Sequence, residues 1–135
     1  MNAIICLDEK NGMMFNKRRQ SRDSVLNQKV LELSEGKRLM MNGYSAKLFG
    51  GDKGIIADDN FLQIAQTGDF CFIESPLESL HNVENLYVFL WNRHYPADVY
   101  FNFDIKKEGF VLQSTEEFAG TSHEKITLNI YKKEG

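Results

Sequence analysis

Three short runs of this chain are apolar at nearly every position: Ala3-Ile4-Ile5-Cys6-Leu7, Phe70-Cys71-Phe72-Ile73 and Leu86-Tyr87-Val88-Phe89-Leu90-Trp91. A strand wetted on one side alternates apolar and polar residues. A run without alternation must be covered on both faces, as parallel strands are inside a layered α/β structure. Parallel strands need crossover connections, and helical patterns lie between these runs. Val25, Leu26, Val30, Leu31 and Leu33 recur at three- and four-residue steps, the spacing of one helix face. Ser21 or Asp23 can cap that helix and Gly36 can end it. Arg38 to Met41 predicts a second strand, Tyr44 to Phe49 a helical turn stopped by Gly50-Gly51, and Ile55 to Ala57 a third strand. Asp58 or Asp59 is expected to cap a short helix through Phe61, Leu62 and Ile64. Phe110-Val111-Leu112 and Ile126 to Tyr131 predict a closing antiparallel hairpin. The expectation is a single α/β domain over 1–135, a mostly parallel sheet flanked by helices with a C-terminal antiparallel hairpin. The run Leu86 to Trp91 is expected at the sheet's centre, with Val88 and Leu90 opposite Phe89, and with Phe89 and Trp91 on opposite sides.

Composition narrows the partners. A chain of 135 residues suits one core. A net charge of −3 argues against a general nucleic-acid binder. Cys6 and Cys71 both sit in apolar runs, which predicts buried strand residues and no secreted disulfide framework. No basic segment precedes the first apolar run, and none approaches the roughly 20 residues of a membrane span. A cytoplasmic protein without a membrane partner is expected, and a homodimer stays open. His81, His94 and His123 lack metal-ligand spacing, so no metal is expected and the three are read as surface residues. Tyr95, Tyr100, Phe101 and Phe103 are read as one packed aromatic cluster.

Two segments carry a family resemblance. Gly36-Lys37-Arg38-Leu39-Met40-Met41-Asn42-Gly43-Tyr44-Ser45 is similar to a Gly-Lys-Pro-x-x-Met-Gly-Arg-x-Thr stretch, and Ala97-Asp98-x-Tyr100-Phe101 to a Gly-Asp-x-x-Phe stretch. Asp8 to Met14 resembles Asp-x-Asn-Gly-x-Ile, and Leu86-Tyr87-Val88 a Leu-Tyr-Leu strand. In this order and spacing the segments resemble dihydrofolate reductase over most of the chain. The resemblance implies that family's fold, with a ligand cleft beyond the carboxyl ends of the strands.

The departures bear on function. The resemblance implies a carboxylate on the first helix that orients the pterin and helps protonate it; Asp23 is nearest, and its place at the helix start predicts a cap instead. The threonine that supports the carboxylate is Phe89, the paired glycines beside the cofactor are Glu74-Ser75, and the cofactor-phosphate arginine is Gly43. The NADPH site therefore reads as eroded, and no cofactor is expected. The expectation is a divergent dihydrofolate-reductase-like protein without standard reductase activity, binding a small nucleotide- or pterin-like molecule in a remnant cleft. Asp8, Asp23, Asn42, Gly43, Ser45, Glu74, Asn92 and Arg93 are the candidate lining. Backbone donors of Gly43 and Ser45 are expected to stay free for an anion. The alternative is an RNA-associated protein using the basic cluster Lys17, Arg18, Arg19 and Arg22, four cations in six residues. Met13 to Ser21 is also similar to the start of small chains labelled ribonuclease Z, but the His-x-His-x-Asp-His zinc motif of that enzyme is absent. A pure interaction domain is the third reading.

Overall fold

The strand Asn2–Leu7 (β1) sits between Phe70–Phe72 (β6) and Asn85–Leu90 (β7) and runs parallel to both, so that Ala3 faces Cys71 on one side and Leu86 on the other. The computed structural model describes residues 1–52 and 54–134. The remaining elements, in chain order, are β2 (Gly12–Phe15), β3 (Arg18–Arg19), α1 (Ser24–Leu33), β4 (Leu39–Met41), α2 (Gly43–Ala46) running into a 3-10 turn (Lys47–Phe49), β5 (Ile55–Ala57), α3 (Phe61–Ile64), β8 (Val99–Tyr100), β9 (Phe110–Phe118) and β10 (Ile126–Lys133). The main sheet has the order β5-β4-β6-β1-β7-β10-β9. It is parallel from β5 to β7; β10 runs antiparallel to both its neighbours. The chain thus leaves β1 toward one edge, returns through β6, and passes to the other side at β7. The carboxyl ends of β6, β1 and β7 flank that reversal.

The period of two along each strand sorts the core into two layers. Ala3, Ile5, Leu7, Cys71, Ile73, Leu86 and Val88 share one layer; Ile4, Phe70, Phe72, Phe89 and Trp91 share the other with Leu26 and Val30 of α1. This corrects the placement of Phe89 and Trp91 on opposite sides: residues two apart on a strand share a face. Val88 and Leu90 do lie opposite Phe89. Helix α1 begins where the Asp23 carboxylate accepts from the amides of Val25 and Leu26, and it buries Leu26 and Val30, worth about 1.5–3 kcal/mol each in transfer terms. Gly36, at φ +78°, turns the chain away from the helix into β4. The short helix α3 follows neither expected cap: Asn60 occupies the cap position, Asp58 Oδ1 accepts from the Asn60 amide, and Asp59 turns to Gly43.

A second, three-stranded sheet, β3-β2-β8, pairs the hairpin at the basic loop with β8. Asn16 and Lys17 both have positive φ, 53° and 62°, and make the two-residue turn between β2 and β3. The aromatic group also divides: Phe101 and Phe103 pack at 5.3 Å, whereas Tyr95 lies in the other layer and Tyr100 is exposed.

Phe89 is fully buried and meets Phe118 edge-on at 6.3 Å. Phe89→Ala is expected to lower the unfolding free energy by roughly 3–5 kcal/mol, read from the urea midpoint at unchanged m-value.

Candidate functional site

Beyond the carboxyl ends of β1, β6 and β7 the segment 19–22 and α1 line a narrow cleft with a cavity volume of about 20 Å³. Cys6 and Glu74 stand at strand ends, Phe72 and Trp91 form an aromatic wall, and Asn27 reaches in from α1. Free space inside it is little wider than a water molecule. Burial pushes the Cys6 thiol far up, with Glu74 adding to the effect, so the sulfur at this wall is a thiol and not a thiolate. Burial likewise pushes Cys71 up to about 11.

The Glu74 carboxylate is fully engaged. Arg19 grips it bidentately, with Nε donating to Oε2 at 2.7 Å and the terminal nitrogen to Oε1 at 2.9 Å, and the Ser45 hydroxyl donates to Oε1 at 2.7 Å. The Arg19 guanidinium also lies over the Tyr44 ring at 4.5 Å. Arg19 is thereby drawn out of the expected basic cluster, leaving Lys17, Arg18 and Arg22 exposed. The expected free donors at the start of α2 are taken within the chain: the Gly43 amide donates to Asp59 Oδ1 at 3.0 Å and the Ser45 amide to Asn42 Oδ1 at 2.8 Å. The three groups assigned to an anion there, two amides and the Ser45 hydroxyl, all face acceptors of the protein.

Of the other candidate residues, Asp8 is buried and pins its own turn, accepting from the amides of Lys10 and Gly12 and from Gln20 Nε2, each at 2.8 Å. Burial raises its pKa, but these donors outweigh it and hold the carboxyl below its ordinary value. Asn92 donates to Thr127 Oγ1 at 2.9 Å and Arg93 reaches the Ser122 carbonyl at 3.5 Å; both tie the β9–β10 hairpin to the end of β7, away from the cleft. Asp23 is indeed the helix cap, and it is more. Its carboxylate accepts from the amides of Val25, Thr121 and Ser122 at 2.9, 2.9 and 2.8 Å and from His123 Nδ1 at 3.0 Å. His123 is buried, which corrects its reading as a surface residue; its ring stacks on Trp91 at 4.6 Å, and Nε2 meets Ser21 Oγ at 3.0 Å and Tyr95 Oη at 3.1 Å. His81 and His94 are exposed as expected.

The reading by sequence missed Gln20, Ser21 and Asn27, which line the cleft. Asn27 lies one helical turn past Asp23, beside the Leu26–Val30 stripe, so α1 presents an amide to the cleft. Gln20 Oε1 and Asn27 Oδ1 are buried, and no donor among the described residues reaches either.

No protein-family model matches the chain, and no curated protein matches it in sequence. In structure it is similar to the dihydrofolate reductase from Enterococcus faecalis complexed with NADP(H) and RAB-propyl, with a TM-score of 0.70 and 12% identity over 99% of this chain and 96% of that one. The protein therefore has the dihydrofolate-reductase-like fold. No helix among the described residues is long and apolar enough to cross a membrane.

Burial raises the Asp23 pKa, but its hydrogen bonds, from Thr121, His123, Ser122 and Val25, outweigh that and hold the carboxyl well below the usual carboxylate range. A depressed carboxyl stabilises the fold above its unfolded pKa, about 3.9, and the effect is lost as pH falls through the folded value. Urea unfolding between pH 7 and pH 2 is expected to show stability falling below about pH 4, with a flatter acid limb in Asp23→Asn.

Proposed function

We propose that this protein is a non-reducing relative in fold that binds a small, flat, nucleotide- or pterin-like molecule between the loop 19–22 and the carboxyl ends of β1, β6 and β7, the loop moving outward to admit it because the cleft as it stands has room for little more than a water. The observation that carries this reading is the pair of buried amide oxygens, Gln20 Oε1 and Asn27 Oδ1, in the lining of one cleft and without a donor. A buried acceptor left unpaired costs about 1–3 kcal/mol. Two in one cleft favour a ligand that brings N–H donors, as an aminopyrimidine edge does. The aromatic pair Phe72 and Trp91 suits a planar ring. Reduction is disfavoured because Asn27 cannot act as an acid and the Cys6 thiol is pushed far up. The alternative, RNA binding, draws on the exposed Lys17, Arg18 and Arg22, but Arg19 is committed to Glu74.

A thermal-shift screen with pterins, nucleosides and nucleotides tests the reading. One compound class is expected to raise the melting temperature saturably, a ligand at a hundred times its Kd adding about 2.7 kcal/mol. Asn27→Leu and Gln20→Leu should each weaken that ligand at least about tenfold. NADPH-dependent reduction of dihydrofolate is expected to be absent; turnover abolished by Asn27→Leu would overturn the non-reductase part. Saturation by RNA alone, steeply weakened by salt, would favour the alternative.

A further inference from the structure

Ser21, His123 and Asp23 are joined end to end. Asp23 Oδ2 meets His123 Nδ1 at 3.0 Å, and His123 Nε2 meets Ser21 Oγ at 3.0 Å. An ionised carboxylate only accepts, so Nδ1 carries a hydrogen and Nε2 can offer its lone pair to the serine hydroxyl. The imidazole is locked: Trp91 stacks on its face, Ser122 Oγ lies 3.2 Å from Nδ1, and the Tyr95 hydroxyl lies 3.1 Å from Nε2 and 3.4 Å from Ser21 Oγ. Burial is graded along the line. Ser21 lines the cleft and is half-buried, whereas the side chains of His123 and Asp23 are 2% and 0% exposed behind it. A hydroxyl at the wall, a base behind it and a carboxylate behind the base are the arrangement that makes serine a nucleophile.

We propose that Ser21 is a nucleophile, with His123 as its general base and Asp23 as the residue that positions the imidazole, and that the cleft hydrolyses esters of small acyl groups. Ser21 Oγ bonds to the ester carbonyl carbon while its proton passes to His123 Nε2. The tetrahedral intermediate then expels the alcohol, which takes that proton, leaving an acyl-serine. Water, deprotonated by the same nitrogen, attacks the acyl carbon; the carboxylic acid departs and Ser21 regains its proton. Arg22, adjacent to Ser21 and also in the lining, is the cation that can face the developing oxyanion. The narrowness of the cleft restricts the acyl group to a few atoms. The assignment goes beyond ligand binding, and an inert Ser21 would leave that reading intact.

The full chain is treated with a fluorophosphonate probe and, separately, with p-nitrophenyl acetate. The expected result is a single adduct on the Ser21 peptide by mass spectrometry, absent in Ser21→Ala, and a burst of p-nitrophenol. Labelling should rise with pH and then level off, because only a neutral imidazole can take the Ser21 proton. His123→Gln should label at least about a hundredfold more slowly. Because a buried residue is replaced there, the pH profile of the unaltered chain asks the same question without a mutation. In Asp23→Asn, which keeps an oxygen for the helix cap, the profile should move to lower pH; an unmoved profile removes Asp23 from the assignment. No adduct on folded protein, an adduct on Tyr95, equal labelling of Ser21, Ser24 and Ser122, or labelling independent of pH would each overturn the proposal.

Discussion

One carboxylate joins parts of the chain that lie 98 to 100 residues apart in sequence. Asp23 starts α1 by accepting the amides of Val25 and Leu26 at Oδ1, which also takes the Thr121 amide, while Oδ2 holds the Ser122 amide and the ring of His123. The helix that covers one face of the sheet is thereby fixed to the loop of the hairpin that closes its edge. Nearby contacts repeat the link, since Ser24 Oγ meets Thr121 Oγ1 and the Ser122 hydroxyl reaches the Arg22 carbonyl at 3.3 Å. The approach is close enough that a Cβ at Gly120 would fall on the Asp23 carboxylate itself. A side chain there could be accommodated only by moving the loop or the cap. A buried carboxylate with this many donors is costly to neutralise, because protonation would set an O–H against the amides that donate to it.

The side of the cleft where the resemblance places a cofactor follows a different electrostatic logic. Glycines in that position would let a ligand approach the backbone; here Glu74 extends a carboxylate, and Arg19 crosses from β3 to meet it. The ion pair is well buried, with side chains 19% and 10% exposed, and Ser45 supplies a further hydrogen bond. Breaking it by removing one partner would strand the other charge, which is more costly than the pair is stabilising. A dinucleotide phosphate would therefore have to displace Glu74 from Arg19 or lie against a carboxylate. The donors at the start of α2 add no attraction, because Asp59 and Asn42 already accept from them.

Local pattern made most of the fold legible. Unbroken apolar runs marked β1, β6 and β7 because a doubly covered strand has no polar side to break the run, and the three- and four-residue steps marked α1. What escaped was set by contacts distant in sequence. His123 reads as a polar residue in a polar loop, and only the fold brings it against Trp91 and Asp23, 100 residues away from the latter. Asn27 sits at the margin of an apolar stripe, where an amide is as common on the wet side as facing a cleft. The two-stranded turn at Asn16-Lys17 was legible as polarity, but its two positive φ values belong to a hairpin that needs β8, from far along the chain, to become a sheet. The sides of Phe89 and Trp91 were fixed by strand parity alone and needed no structure.

The cleft wall and the scaffold meet in the loop 19–22, which explains how a closed cleft can carry unpaired acceptors. Three residues of that loop both line the cleft and bond to another part of the fold. Arg19 neutralises Glu74, Gln20 donates to Asp8 Oδ2 and to the Pro96 carbonyl, and Ser21 meets His123. With its nitrogen anchored to two acceptors, the Gln20 amide cannot turn over to bury its donor end in place of Oε1 without losing both bonds. Ser21 is likewise held, between His123 and Tyr95. A ring-sized ligand would have to move part of this loop, because the free space is only about 20 Å³, and the bonds that anchor the loop set the cost of that movement. The cost of the unpaired amides becomes discrimination, because only a partner with donors at matching positions relieves both.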